Sequence, residues 1–96
     1  MTRDEVLRLL GERRADIEQF GVKSLALFGS AARDEAGVES DVDILVEFDR
    51  PVGLFEFVEL KEFLESLLGR RVDLGTPQSL KPRLRQRVLQ EAVYVR

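Results

Sequence analysis

Residues 41–48, Asp-Val-Asp-Ile-Leu-Val-Glu-Phe, limit how this chain can fold more than any other segment. Val42 to Phe48 is β-branched and apolar enough to read as the central strand of a sheet. Two aspartates stand at its start. Being two residues apart, Asp41 and Asp43 project from one face, with their Cα atoms about 7 Å apart. Two carboxylates about 6.5 Å apart repel by about 2.5 kcal/mol at an effective dielectric of about 20. A divalent cation between them removes that penalty. The chain has no histidine and no cysteine, which excludes thiolate and imidazole ligands, cysteine nucleophiles and Ser-His-Asp sites. An all-oxygen ligand set favours magnesium or manganese over zinc, and proton transfers fall mainly to carboxylates.

Two further features carry chemistry. Gly29-Ser30 directly follows a short apolar run, Leu25 to Phe28, which reads as a buried strand. A glycine there permits close approach of a backbone or a phosphate, and the amides after it can point at an anion. Neither a Walker lysine motif nor GxGxxG is present. Asp73 lies inside another short strand, Val72 to Leu74, where a lone carboxylate between valine and leucine has the same electrostatic problem as the pair. Taken singly, each feature has an ordinary explanation: a turn, a charged strand edge, a hydrogen-bonded structural carboxylate. Their combination is what points to a site.

The rest of the pattern alternates helix and strand. Thr2 and Glu5 fit a capping box, and Val6, Leu10, Ile17 and Phe20, widened by Leu7 and Leu9, recur at helical spacing up to Gly21. One helical turn is expected around Ala31–Asp34, then a loop containing Gly37. An amphipathic helix spans Leu54 to Leu68, with Phe57, Leu60, Leu64, Leu67 and Leu68 on one face, and stops at Gly69. A last helix runs from Pro82 to Glu91, with Leu80, Leu84 and Val88 as its buried face. Val93-Tyr94-Val95 either adds a strand or docks. The order indicates one α/β sheet layered with helices.

Ninety-six residues leave room for one domain, residues 1–96, with no accessory domain. No apolar run is long enough to cross a bilayer, and acids near the start are unlike a signal peptide, so a cytoplasmic location is expected. Fifteen basic and eighteen acidic residues give a net charge of −3, which argues against a dedicated nucleic-acid partner. The charge is uneven. Seven acids and no base lie between Asp34 and Asp49, whereas Lys81, Arg83, Arg85, Arg87 and Arg96 face only Glu91 near the end.

Gly29-Ser30, ten residues, then Asp41-Val42-Asp43 resembles the signature of the DNA polymerase beta-like nucleotidyltransferase superfamily. The short length, Leu-Phe-Gly-Ser-Ala-Ala-Arg, the Ser40–Phe48 segment and the run from Leu68 through Asp73 to Tyr94 resemble the minimal nucleotidyltransferases. These are the antitoxins paired with HEPN-domain toxins. The resemblance covers nearly all of the chain from Ser24 onward. It departs at Asp34, where many members have glycine, and at Gly75, where a larger apolar residue is frequent.

That resemblance implies a single-domain nucleotidyltransferase fold of the α/β (α+β) class, a small mixed β-sheet layered with helices. It implies that Asp41, Asp43 and Asp73 are metal ligands for two Mg2+ ions and form the catalytic set, with Asp73 as base. Gly29, Ser30 and Arg33 would bind the ATP phosphates. The implied reaction transfers AMP from ATP to a tyrosine hydroxyl of the cognate HEPN RNase toxin, inactivating it. Independently of the resemblance, the excess of basic charge near the end of the chain leads to the expectation that Arg83 and Arg87, one turn apart on the last helix, dock the toxin or touch the triphosphate. Two other readings stand beside this one. The first is a non-catalytic antitoxin acting by contact alone, separable by whether MgATP and partner yield a covalent adduct. The second is a small-molecule nucleotidyltransferase whose partner subunit completes the acceptor pocket. Nucleotide preference, the number of transfers and the oligomeric state are left open.

Overall fold

The computed structural model describes residues 1–33 and 41–95. The expected loop around Gly37, with Asp34, Glu35 and Glu39, therefore lies outside the described residues, as does Arg96. Strand β2 (Val42–Phe48) is where the sequence placed it. Its neighbours are β1 (Val22–Leu27), antiparallel, and β3 (Val72–Gly75), parallel; β4 (Val93–Tyr94) adds to the outer edge of β1. The sheet is mixed, in the order β3-β2-β1-β4.

Alternation along β2 divides the molecule. Val42, Ile44 and Val46 are buried in one cluster with Leu25 and Leu27 of β1 and Val72 and Leu74 of β3. Helix α1 (Arg3–Glu12) adds Val6 and Leu10 to that cluster, and α4 (Leu54–Leu68) adds Leu60, Leu64 and Leu68. Phe57 and Leu67 pack at its margin. Each such leucine contributes about 1.5–3 kcal/mol by burial. The opposite face of β2 carries Asp43, Leu45 and Glu47. There Ala26 and Leu45 are buried, beneath Pro77 of a 3-10 turn (Pro77–Ser79) and Leu89 of α5 (Pro82–Glu91). Both faces are therefore covered, but the second only in part, and the aspartates lie on that second face.

The ends of α4 explain its agreement with the sequence. The Gly53 N–H donates to Glu56 Oε1 at 3.4 Å at the start. Gly69 takes the left-handed conformation (φ +66°) at the end, where residues with a Cβ are disfavoured. Glu65 then reaches out of the helix to accept from the Val72 N–H at 2.9 Å, tying α4 to β3.

Three expectations need correction. The first helix is not continuous to Gly21. It begins as expected, with the Thr2 hydroxyl accepting from the Glu5 N–H at 3.2 Å, but breaks at Arg13 (φ −109°, ψ 24°). A short α2 (Arg14–Glu18) then lays Ile17 into the core. Gly11, a poor helix residue, sits two positions before the break. Strand β1 starts earlier and ends earlier than Leu25–Phe28, because a bulge between Val22 and Ser24 interrupts the period of two that would reveal it. The expected buried face of α5 is absent: Leu80 and Val88 are only half-buried and Leu84 is 43% exposed. The helix touches the sheet through Leu89, which turns Leu84 toward an open cleft. The expected helical turn near Ala31 is present as α3 (Gly29–Ala32). Among the described residues, no helix is long and apolar enough to cross a membrane.

Candidate active site

Strand register assembles the acids. Asp43 on β2 and Asp73 on β3 are direct partners in the parallel ladder, which puts their Cα atoms about 4.8 Å apart. Both side chains therefore leave the sheet on the same face. Asp73 lies thirty positions after Asp43, with all of α4 between them. Burial and the adjoining Asp73 carboxylate push the Asp43 carboxyl up from 3.8 to about 6, and Asp41 adds to the rise. The Arg33 guanidinium opposes it. Asp43 is thus the focus of a concentrated negative charge, partly withdrawn from water.

Gly29 sits against this focus. The N–H of Phe28 donates to the Asp43 carbonyl at 3.0 Å, fastening the end of β1 to β2 at that residue. The chain then turns at Gly29 with φ +62°, and a Cβ placed there would fall on the Asp43 carboxylate. Glycine is required for two independent reasons, backbone conformation and lack of space. The turn opens α3, whose first amides, on Gly29, Ser30 and Ala31, lie outside the helix's own hydrogen-bond ladder. First-turn amides of this kind are the backbone groups that bind anions at helix starts.

Arg33 ends the α3 turn, its N–H donating to the Gly29 carbonyl at 3.3 Å. Its guanidinium lies 3.7 Å from Glu91 of α5, and Arg87 lies 3.6 Å from the other oxygen of the same carboxylate. Asp41, just before β2, is more exposed and is turned toward Arg71, whose Nε is 3.6 Å away. Among the described residues, no three acids are gathered closely enough to cage a metal as they stand. The donor chemistry nevertheless suits a hard divalent cation. Asp43 and Asp73 are paired carboxylates whose mutual repulsion is already expressed in the raised Asp43 carboxyl, and Asp41 is close enough to contribute to it.

Of the residues singled out from sequence, the structure brings Gly29, Asp43 and Asp73 together, sets Ser30 on the same turn and leaves Arg33 and Asp41 at the rim. Glu91 was not singled out: its spacing from Arg87 is ordinary for a helix surface, and its closeness to Arg33 depends on how α5 packs against α3. At Gly75, the second departure from the family pattern, a Cβ would come within 3.1 Å of Ser79 Oγ. That hydroxyl donates to the Thr76 carbonyl at 2.7 Å, so the turn after β3 leaves little room for a larger residue.

Comparison with known proteins gives a consistent result. Residues 7–95 match the model of the nucleotidyltransferase domain family. The protein adenylyltransferase MntA of Thermococcus cleftensis is 46% identical over 96 residues, covering 99% of this chain and 97% of that one. Among solved structures, that of a candidate minimal nucleotidyltransferase superposes with a TM-score of 0.76 at 42% identity, covering 91% of this chain and 93% of the other. A toxin-antitoxin complex with AMP-PNP contains a chain that superposes with a TM-score of 0.71 at 26% identity, covering 100% of this chain and 73% of that one.

Proposed function

This chain belongs to the nucleotidyltransferase domain family, and on that premise we propose that it is a magnesium-dependent antitoxin that transfers AMP from ATP to a tyrosine hydroxyl of a HEPN-domain RNase toxin. The observation that carries the reading is the pairing of Asp43 with Asp73 across β2 and β3, against a glycine whose missing side chain makes room for the Asp43 carboxylate. The length match to a named protein adenylyltransferase supports a protein acceptor.

Each residue has a definite task in this reading. Asp41, Asp43 and Asp73 would hold the divalent cations, which when bound neutralise phosphate charge and favour an in-line displacement. The amides of the α3 turn and the Ser30 hydroxyl would hold the β- and γ-phosphates, with Arg33 beside them. Asp73, on the more exposed outer strand, would accept the proton of the incoming tyrosine hydroxyl. As that oxygen bonds to the α-phosphorus, the bond to the β-phosphate oxygen breaks and pyrophosphate leaves. Asp43, more buried, would keep its place as a ligand throughout. In this reading the toxin itself supplies the acceptor.

The test is incubation with MgATP and a candidate HEPN-domain partner, followed by mass spectrometry of that partner. Addition of one or more AMP units at a tyrosine is the expected result, abolished by Asp43→Asn. An unmodified partner whose RNase activity is nonetheless lost would overturn the enzymatic reading in favour of neutralisation by contact.

A further inference from the structure

Between the α3 turn and helix α5 lies an open cleft of about 270 Å³, near the lower limit of ligand pockets and suited to part of a nucleotide rather than the whole. Phe28, Leu84 and Val88 give it an apolar lining. Gly29, Arg33, Arg87 and Glu91 complete its lining. Gly29 is also the residue against Asp43. The cleft therefore adjoins the candidate site at Gly29. A nucleotide held at the aspartates and the α3 turn would have its outer phosphates within reach of this cleft.

One carboxylate already occupies that position. Glu91 offers one oxygen to Arg33 at 3.7 Å and the other to Arg87 at 3.6 Å. Both ion pairs are long, and the three side chains are about half exposed or more, at 49% for Arg33, 78% for Arg87 and 43% for Glu91. Pairs of this kind hold weakly. Phosphate oxygens match guanidinium geometry at least as well as a carboxylate and carry more charge.

We propose that Arg87 is a second phosphate-binding arginine, acting with Arg33 on the outer phosphates of the nucleotide, and that Glu91 stands in for the anion until polyphosphate displaces it. The inference rests on the nucleotide-binding reading above. It assigns to α5 a role in substrate binding and to Glu91 a competing one, so the two residues should move affinity in opposite directions.

Isothermal titration with magnesium tests this using three probes: AMP-PNP, AMP and inorganic tripolyphosphate. Arg87→Ala is expected to weaken AMP-PNP and tripolyphosphate about tenfold while changing AMP less than about twofold, the size of one lost charge-assisted contact. Glu91→Gln is expected to tighten the same two probes about three- to tenfold. Melting curves establish that each variant is folded. Unchanged affinity in Arg87→Ala would overturn the assignment and leave α5 as a solvated or partner-binding surface. Weaker binding in Glu91→Gln would overturn the displacement and make Glu91 a positioning residue for Arg33. A wild-type protein that binds tripolyphosphate but not AMP-PNP would overturn the nucleotide inference, whereas one that binds none of the probes would overturn the proposed function with it.

Discussion

Replacing Asp43 with asparagine should stabilise the metal-free protein while abolishing transfer. Burial and the neighbouring Asp73 and Asp41 carboxylates raise the Asp43 carboxyl from 3.8 to about 6. A rise of that size corresponds to about 3 kcal/mol between charged and neutral forms. The carboxyl is partly open to water, and screening reduces this to about 1–2 kcal/mol. Because the folded-state value lies above the unfolded one, the native state keeps a proton between pH 4 and 6 that the unfolded chain has released. The associated stability is fully present below about pH 4, is lost as pH rises through about 6, and is absent at pH 8. A neutral amide in place of the carboxyl carries no such penalty. In the presence of a chelator at pH 8, Asp43→Asn should therefore melt about 5–15 °C above wild type, and the gap should shrink to about a fifth of that at pH 4. Saturating Mg2+ should raise the wild-type midpoint and not the variant's. Differential scanning calorimetry across pH, with and without Mg2+, measures all of this. A variant no more stable than wild type at pH 8, or a gap that does not change with pH, would refute the electrostatic account of Asp43.

Three other outcomes are expected. Gly29→Ala should cost about 2–4 kcal/mol, from the left-handed backbone and the overlap with the Asp43 carboxylate; in an Asp43→Ala background the cost should fall to about 1–2 kcal/mol, as a double-mutant cycle in urea would reveal. Asp73→Asn should bind AMP-PNP within about tenfold of wild type yet lose most turnover, and full activity would remove Asp73 as the base. Leu64→Ala, at a fully buried position of α4, should destabilise by about 2–5 kcal/mol in chemical denaturation without changing which residues titrate near the site.

Much of this molecule is legible before any coordinates. The limits of β2, α4 and α5 follow from signals contained within each segment: a β-branched run, a 3.6-residue apolar stripe and a glycine or proline at an end. Residue types alone also confine the chemistry, since a chain without histidine or cysteine is left with oxygen ligands and, mainly, carboxylate bases. The same information fails where two distant segments must be compared. The bulge hid the first half of β1, because an extra residue shifts the alternation. The helix pattern of α5 marked Leu84 as buried, because periodicity reports a face and not what covers it. The meeting of Asp43 with Asp73 depends on the register of two strands joined through α4, and the need for glycine at position 29 depends on where the Asp43 carboxylate comes to rest. Glu91 carries no local signal at all; it acquires a relation to Arg33 only when α5 lies against α3. Local propensity acts over a few residues, whereas a site of this kind is made by contacts whose partners are brought within reach only by packing of the whole sheet.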